Sequence, residues 1–159
     1  MLLVGASLAA SAVVHAENCA QLNAATAGGL MGVDASLKME HVGASDTVCT
    51  FTPIAGADGG ELRITVHALS NIHEEYRHYA EICGKDAFAL RAVGNEAIEC
   101  SSRKGAGLRV ETVVGRVRDR AFTLAWTIPN PEQGVNALPE EAVREKLRNV
   151  AEQVAGSMF

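Results

Sequence analysis

Two stretches of the chain alternate strictly between apolar and polar side chains. In Glu61–Leu69, Leu62, Ile64, Val66 and Ala68 interleave with Arg63, Thr65 and His67, the period of a strand with one buried and one wet face. In Ala121–Ile128, Phe122, Leu124, Trp126 and Ile128 share one side, which puts the single tryptophan in the core. Leu108–Val117 precedes that arm and pairs with it as a hairpin, with Arg118-Asp119-Arg120 at the tip. Val48–Thr52 has the β-branched and aromatic content of a strand and stops at Pro53. The turn signal Ile54–Gly60 makes it a second hairpin with Glu61–Leu69. Ala35–His41 reads as an edge strand, Ala97–Cys100 as a short strand, and Ser101–Gly107 as a polar loop.

Three helices fit between these strands. Asn23 is a good N-cap for a small-residue helix that ends at Gly32. Asn71-x-x-Glu74 has the form of a capping box, and Ile72, Tyr76, Tyr79 and Cys83 make one helical stripe before Gly84 stops it. Pro139 falls in the first turn of the last helix, with Glu140 and Glu141 toward its positive end. Its stripe is Val143, Leu147, Val150, Ala151, Val154 and Met158. Helix, strands, helix, strands, helix, with tight turns between neighbouring strands, predicts an α+β fold: a mainly antiparallel sheet with helices packed on it.

The apolar run Met1–Ala16 does not belong to that pattern. It ends in Val14-His15-Ala16, a small-x-small site before Glu17, and reads as a signal peptide despite having no Lys or Arg. Leu2–Val14 is shorter than the ~20 residues of a bilayer span, and Cys19 lacks the small residues that precede a lipidated cysteine. The expectation is a leader over 1–16 and a single domain over 17–159, periplasmic or secreted, with no stable membrane span.

An oxidising compartment makes the four cysteines, Cys19, Cys49, Cys83 and Cys100, disulfide partners. Zinc binding would want close C-x₂-C pairs, and the chain has none. Of the three possible pairings, nearest-in-sequence joins Cys19 to Cys49 and Cys83 to Cys100. The 14 basic and 19 acidic residues give a net charge of −5 with no long run of either sign. That balance disfavours nucleic acid, which rewards clustered Lys and Arg. Arg103-Lys104 with Arg116, Arg118 and Arg120 form a modest basic rim beside the long hairpin, chiefly a guard against edge-to-edge aggregation.

Several short motifs occur together. Cys19-Ala20-Gln21-Leu22 leads into the helix ending Leu30-Met31-Gly32, and Cys49-Thr50-Phe51 opens a strand. Ala92-Val93-Gly94-Asn95-Glu96-Ala97 forms a turn, and Val117–Leu124 is a hairpin rich in Val, Arg and Phe before the closing helix. In these the chain resembles the PsbP-like α/β/α sandwich of exported bacterial proteins and lipoproteins. The resemblance implies an antiparallel sheet between helices and a binding or accessory role, and it supplies no catalytic residue. The chain departs from the pattern in lacking the lipidation signal and in carrying Cys83 and Cys100.

Candidate chemistry is sparse. His73-Glu74-Glu75-Tyr76-Arg77-His78 is the densest polar cluster. Glu74 and His78 stand at i and i+4, but His73 and His78 diverge by about 140° on a helix. A catalytic zinc would need a third ligand, His67 or His41, from elsewhere. Glu96 and Glu99, three apart in an extended segment, point to opposite faces, unlike the facing carboxylates of a glycosidase. The turn before them suits a left-handed Asn95. Ser101 and Ser102 lie outside any G-x-S-x-G elbow, and Gly105-Ala106-Gly107 precedes a strand rather than a phosphate-binding helix. The sequence thus points to an exported, non-catalytic binding or accessory domain of the envelope, with no cofactor and no metal. Its partner would be an envelope protein or a small apolar ligand. The alternatives are a secreted hydrolase or metal enzyme using Glu74, His78 and His67, and a secreted inhibitor or effector.

Overall fold

The computed structural model describes residues 19–54, 60–105, 107–129 and 138–159; the leader and its cleavage site lie outside them. Seven strands occur in chain order: β1 (Ala35–Val42), β2 (Asp46–Pro53), β3 (Glu61–Ala68), β4 (Phe88–Leu90), β5 (Glu96–Lys104), β6 (Leu108–Val117) and β7 (Arg120–Pro129). They form one unclosed sheet in the order β1-β2-β3-β7-β6-β5-β4, with every neighbouring pair antiparallel. The helices are α1 (Ala24–Met31), α2 (Ile72–Ala80) and α3 (Glu140–Gly156), and a 3₁₀ segment, Glu81–Asp86, follows α2. The fold is α+β.

Strand alternation sorts the side chains between two faces. On one, Leu62, Ile64, Phe122, Leu124 and Trp126 cluster with Ala27 and Leu30 of α1 and with Val143, Leu147, Val150 and Val154 of α3. On the other, Tyr76 of α2 and Cys83 of the 3₁₀ segment pack with Leu69, Cys100, Val114 and Ala121. One bond joins Cys19, just before α1, to Cys49 in β2. The second joins Cys83 to Cys100 in β5. Each therefore fastens a helical segment to the sheet.

Local chemistry explains the helix ends. Asn23 Oδ1 accepts the Thr26 N–H at 2.8 Å, and Gly32 closes α1 at φ 75°. A Cβ on Gly28 would lie 2.7 Å from the Val33 carbonyl oxygen, so only glycine lets the chain turn back into β1 this tightly. At α2 the expected capping box is absent. Asn71 donates its side-chain amide to Glu74 (2.6 Å), and Glu75 takes the Ser70 N–H instead (2.9 Å). The α-helix also ends at Ala80, before Gly84, which kinks the 3₁₀ segment at φ 56°. Pro139 is the N-cap of α3, one position earlier than expected.

Three strand readings are corrected. Ser101–Lys104 is the second half of β5, paired with Leu108–Glu111. Phe88–Leu90 is an additional short strand on β5. The tip of the long hairpin is Arg118-Asp119 alone, since Arg120 already pairs with Val117. In the turn before β5, Ala92 (φ 65°) and Gly94 (φ 62°) take the left-handed conformation, and Asn95 does not. Asn95 Oδ1 instead accepts the Arg118 N–H at 2.6 Å and ties that turn to the hairpin tip.

Tyr76 yields a pH prediction. It is buried, with its hydroxyl 3.4 Å from the Val114 carbonyl, and burial pushes its phenol up to about 12. An unfolded tyrosine ionises near 10. Between those values the folded chain keeps the proton while the unfolded chain releases it, so stability falls as pH rises through that window. Wild type should lose more stability than Tyr76→Phe between about pH 8 and about pH 11, read as urea midpoints. Equal losses would contradict the assignment.

Candidate functional site

The polar residues singled out by sequence do not converge. His67 was expected on a wet face, yet it is 9% exposed, because α2 covers that end of β3. Its Nδ1 is 2.8 Å from Asp46 Oδ2 on β2, and its ring stacks on Tyr79 at 3.9 Å. That arrangement fastens α2 to the sheet. Glu74 and His78 lie on the exposed side of α2, Glu74 beside Asn71 and His78 3.5 Å from Glu81. His73 is exposed, and His41, on β1, sits 3.4 Å from Thr47 Oγ1. Among the described residues no group of three or more His, Cys, Asp or Glu could hold a metal ion.

Glu96 and Glu99 do separate to opposite faces, each held by an arginine. Glu96 lies 2.5 Å from Arg116 Nε. Glu99 is buried under α3, where Arg148 grips both of its oxygens, with Nε at 2.7 Å. These hydrogen bonds hold the Arg148 guanidinium above its ordinary value.

Next to this pair lies a charge cluster that the sequence did not reveal. Glu111 on β6 is 2% exposed and accepts from Ser101. It also faces Arg109 Nε at 2.9 Å and Arg144 Nε at 3.8 Å. Arg144 binds Glu140 in turn, at 2.7 Å. Among the described residues Arg109 Nε and Nη2 are buried without an aligned acceptor, so the Arg109–Glu111 contact is Coulombic rather than a formed hydrogen bond. Two arginines and two glutamates balance, which leaves no net charge to attract an ion. The cluster fixes the start of α3 over β5 and β6.

The Arg148–Glu99 pair gives an asymmetric prediction. Arg148 is 35% exposed and Glu99 7%, so deleting the arginine strands a buried carboxylate, whereas deleting the carboxylate frees a cation that reaches water. Arg148→Ala should cost about 3 kcal/mol, the low end for breaking a buried pair because the guanidinium is partly exposed, and Glu99→Gln clearly less. Urea denaturation of both variants checks this, and a milder Arg148→Ala would contradict it.

A groove of about 710 Å³ runs between α1 and the start of β1, lined by Ala25, Gly28, Gly29, Gly32, Val33 and Ile54. The basic rim is split between opposite ends of the sheet. Arg103 stands across from Arg109 near the start of β6, while Arg116 stands near its end. At that second end Arg116 binds Glu96, Arg118 covers Phe159, and Arg120 donates to the Met158 carbonyl. Arg118 and Arg120 thus hold the hairpin tip against Met158 and Phe159, and Arg116 ties it to β5.

No helix among the described residues is long and apolar enough to cross a membrane. No family model matches the chain, and no curated protein does. A crystal structure from Bacteroides thetaiotaomicron VPI-5482 is similar over 75% of this chain, with 13% identity and a TM-score of 0.45; the chain spans 40% of that protein's length.

Proposed function

We propose that this chain is an exported, non-catalytic binding or accessory domain of the cell envelope, of the PsbP-like kind. The leader is removed before Glu17, and residues 17–159 act as one periplasmic or secreted domain. One observation carries the reading: all four cysteines are paired. Such bonds persist in oxidising compartments. A non-catalytic role is supported by what the candidate groups do in the fold, since His67 fastens α2 and Glu99 anchors α3. The partner is an envelope protein or a small apolar molecule, and the groove beside α1 is the place for the latter.

The alternative, a secreted hydrolase or metal enzyme on Glu74, His78 and His67, is tested in the same preparation. Elemental analysis of the mature protein should find no stoichiometric zinc, and native mass spectrometry should show any retained ligand. Stoichiometric zinc that is lost in His78→Ala would overturn the non-catalytic reading.

A further inference from the structure

β4 covers only part of its neighbour. Phe88–Leu90 pairs with Ala97–Glu99, whereas β5 continues to Lys104. The chain leaves the edge just before Phe88, because the 3₁₀ segment is bonded through Cys83 to Cys100 on the α2 face. Beyond Cys100, β5 therefore has β6 on one side and no strand on the other among the described residues. A strand edge of this kind presents main-chain N–H and C=O groups that another extended chain can pair with.

The side chains along that edge specify the partner. Arg103 and Lys104 are exposed, and among the described residues neither has an acidic partner. Among the described residues they are cations without an ion-pair partner, on a chain of net charge −5. At physiological salt the screening length is about 8 Å, so the local cations outweigh the distant net charge. Phe88 closes the open stretch at its β4 end, 57% exposed and flanked by Arg144, 5.7 Å from its ring. Phe88 pairs with Glu99, so its side chain shares a face with Ser101 and Arg103.

We infer that the free half of β5, Ser101–Lys104, accepts an extended acidic segment of a partner protein by strand addition in line with β4. The inference rests on the binding role proposed above and names the partner's chemistry. In the antiparallel register, acidic residues meet Lys104 and Arg103, and an apolar residue follows opposite Ser101 and lies against Phe88. The same cations oppose a second copy of this chain, since self-pairing would crowd four basic side chains into one ribbon.

Titration of the ¹⁵N-labelled mature protein with the peptide acetyl-EEEVVT-amide tests this, with acetyl-KKKVVT-amide as the control. The acidic peptide should shift the amides of Ser101–Lys104 and of Phe88–Leu90, and the basic peptide should not. Reversing both charges, Arg103→Glu with Lys104→Glu, alters only exposed side chains. It should weaken the acidic peptide by about tenfold or more and admit the basic one, as expected for a contact steered by charge. No shift at this edge with either peptide overturns the inference, as does equal binding of both, or a concentration-dependent shift of the same amides without peptide, which would mark a second copy. Leader removal and thiol state are read separately on the same sample, so failure here is distinguishable from failure of the binding role's export premise.

Discussion

Phe122→Ala is expected to destabilise the protein by about 3–5 kcal/mol, the range for emptying a buried aromatic site. Phe122 is 0% exposed at the centre of the α1/α3 face, and it stands directly across from Gly115 on β6. A Cβ on Gly115 would lie 2.3 Å from the tip of the Phe122 ring. The ring thus lies over the bare backbone of its partner and fills the space that the glycine leaves. Gly115→Ala alone should cost about 1–3 kcal/mol, because the ring must move in a packed core. In the Phe122→Ala background the same change should cost almost nothing, since the ring it opposes is gone. Urea denaturation of the four proteins measures the coupling between the two sites. Additive losses, or a Phe122→Ala penalty below about 1 kcal/mol, would contradict this packing.

The Cys19→Ser/Cys49→Ser double variant should lose about 2–5 kcal/mol. The bond spans a sequence separation of 30, for which loop-closure entropy gives about 3–4 kcal/mol. It also has a local task. α1 has only 8 residues and contains Gly28 and Gly29, and isolated helices that short are marginal in water. Without the bond, α1 depends on Ala27, Leu30 and Met31 packing against the sheet. Amide exchange should therefore accelerate in Ala24–Met31 before it does so in the centre of β7. An unchanged urea midpoint together with unchanged exchange in α1 would contradict this role.

What was legible in the chain depended on how many neighbours each position needed. β3 and β7 were readable because both are central strands with one face in the core, so Leu62, Ile64, Phe122, Leu124 and Trp126 had to alternate. The α3 stripe was readable for the same reason, with one face buried along its length. Ser101–Lys104 was not readable. Among the described residues no strand pairs with its outer edge, and its side chains are polar on both faces, so its strand conformation comes from pairing with Leu108–Glu111. His67 looked wet because alternation reports only the strand's own faces; α2 arrives over it from elsewhere in the chain and brings Tyr79.

The charged contacts were hidden by distance along the chain. Glu99 and Arg148 are 49 residues apart, and local spacing carries no sign of such a pair. Sequence did separate Glu96 from Glu99, since strand geometry alone decides that. It read Asn95 as suited to the left-handed conformation in the preceding turn, whereas Ala92 and Gly94 adopt it.

The intact mass of the protein purified from the cells that express it and their medium, denatured in alkylating reagent without reductant, bears most directly on whether this is a body assembled outside the cytosol and clamped by its sulfurs. The expected species begins at Glu17, is four hydrogens lighter than the reduced chain, and carries no alkyl group. A species that retains Met1–Ala16 and takes up alkyl groups on its cysteines would contradict it.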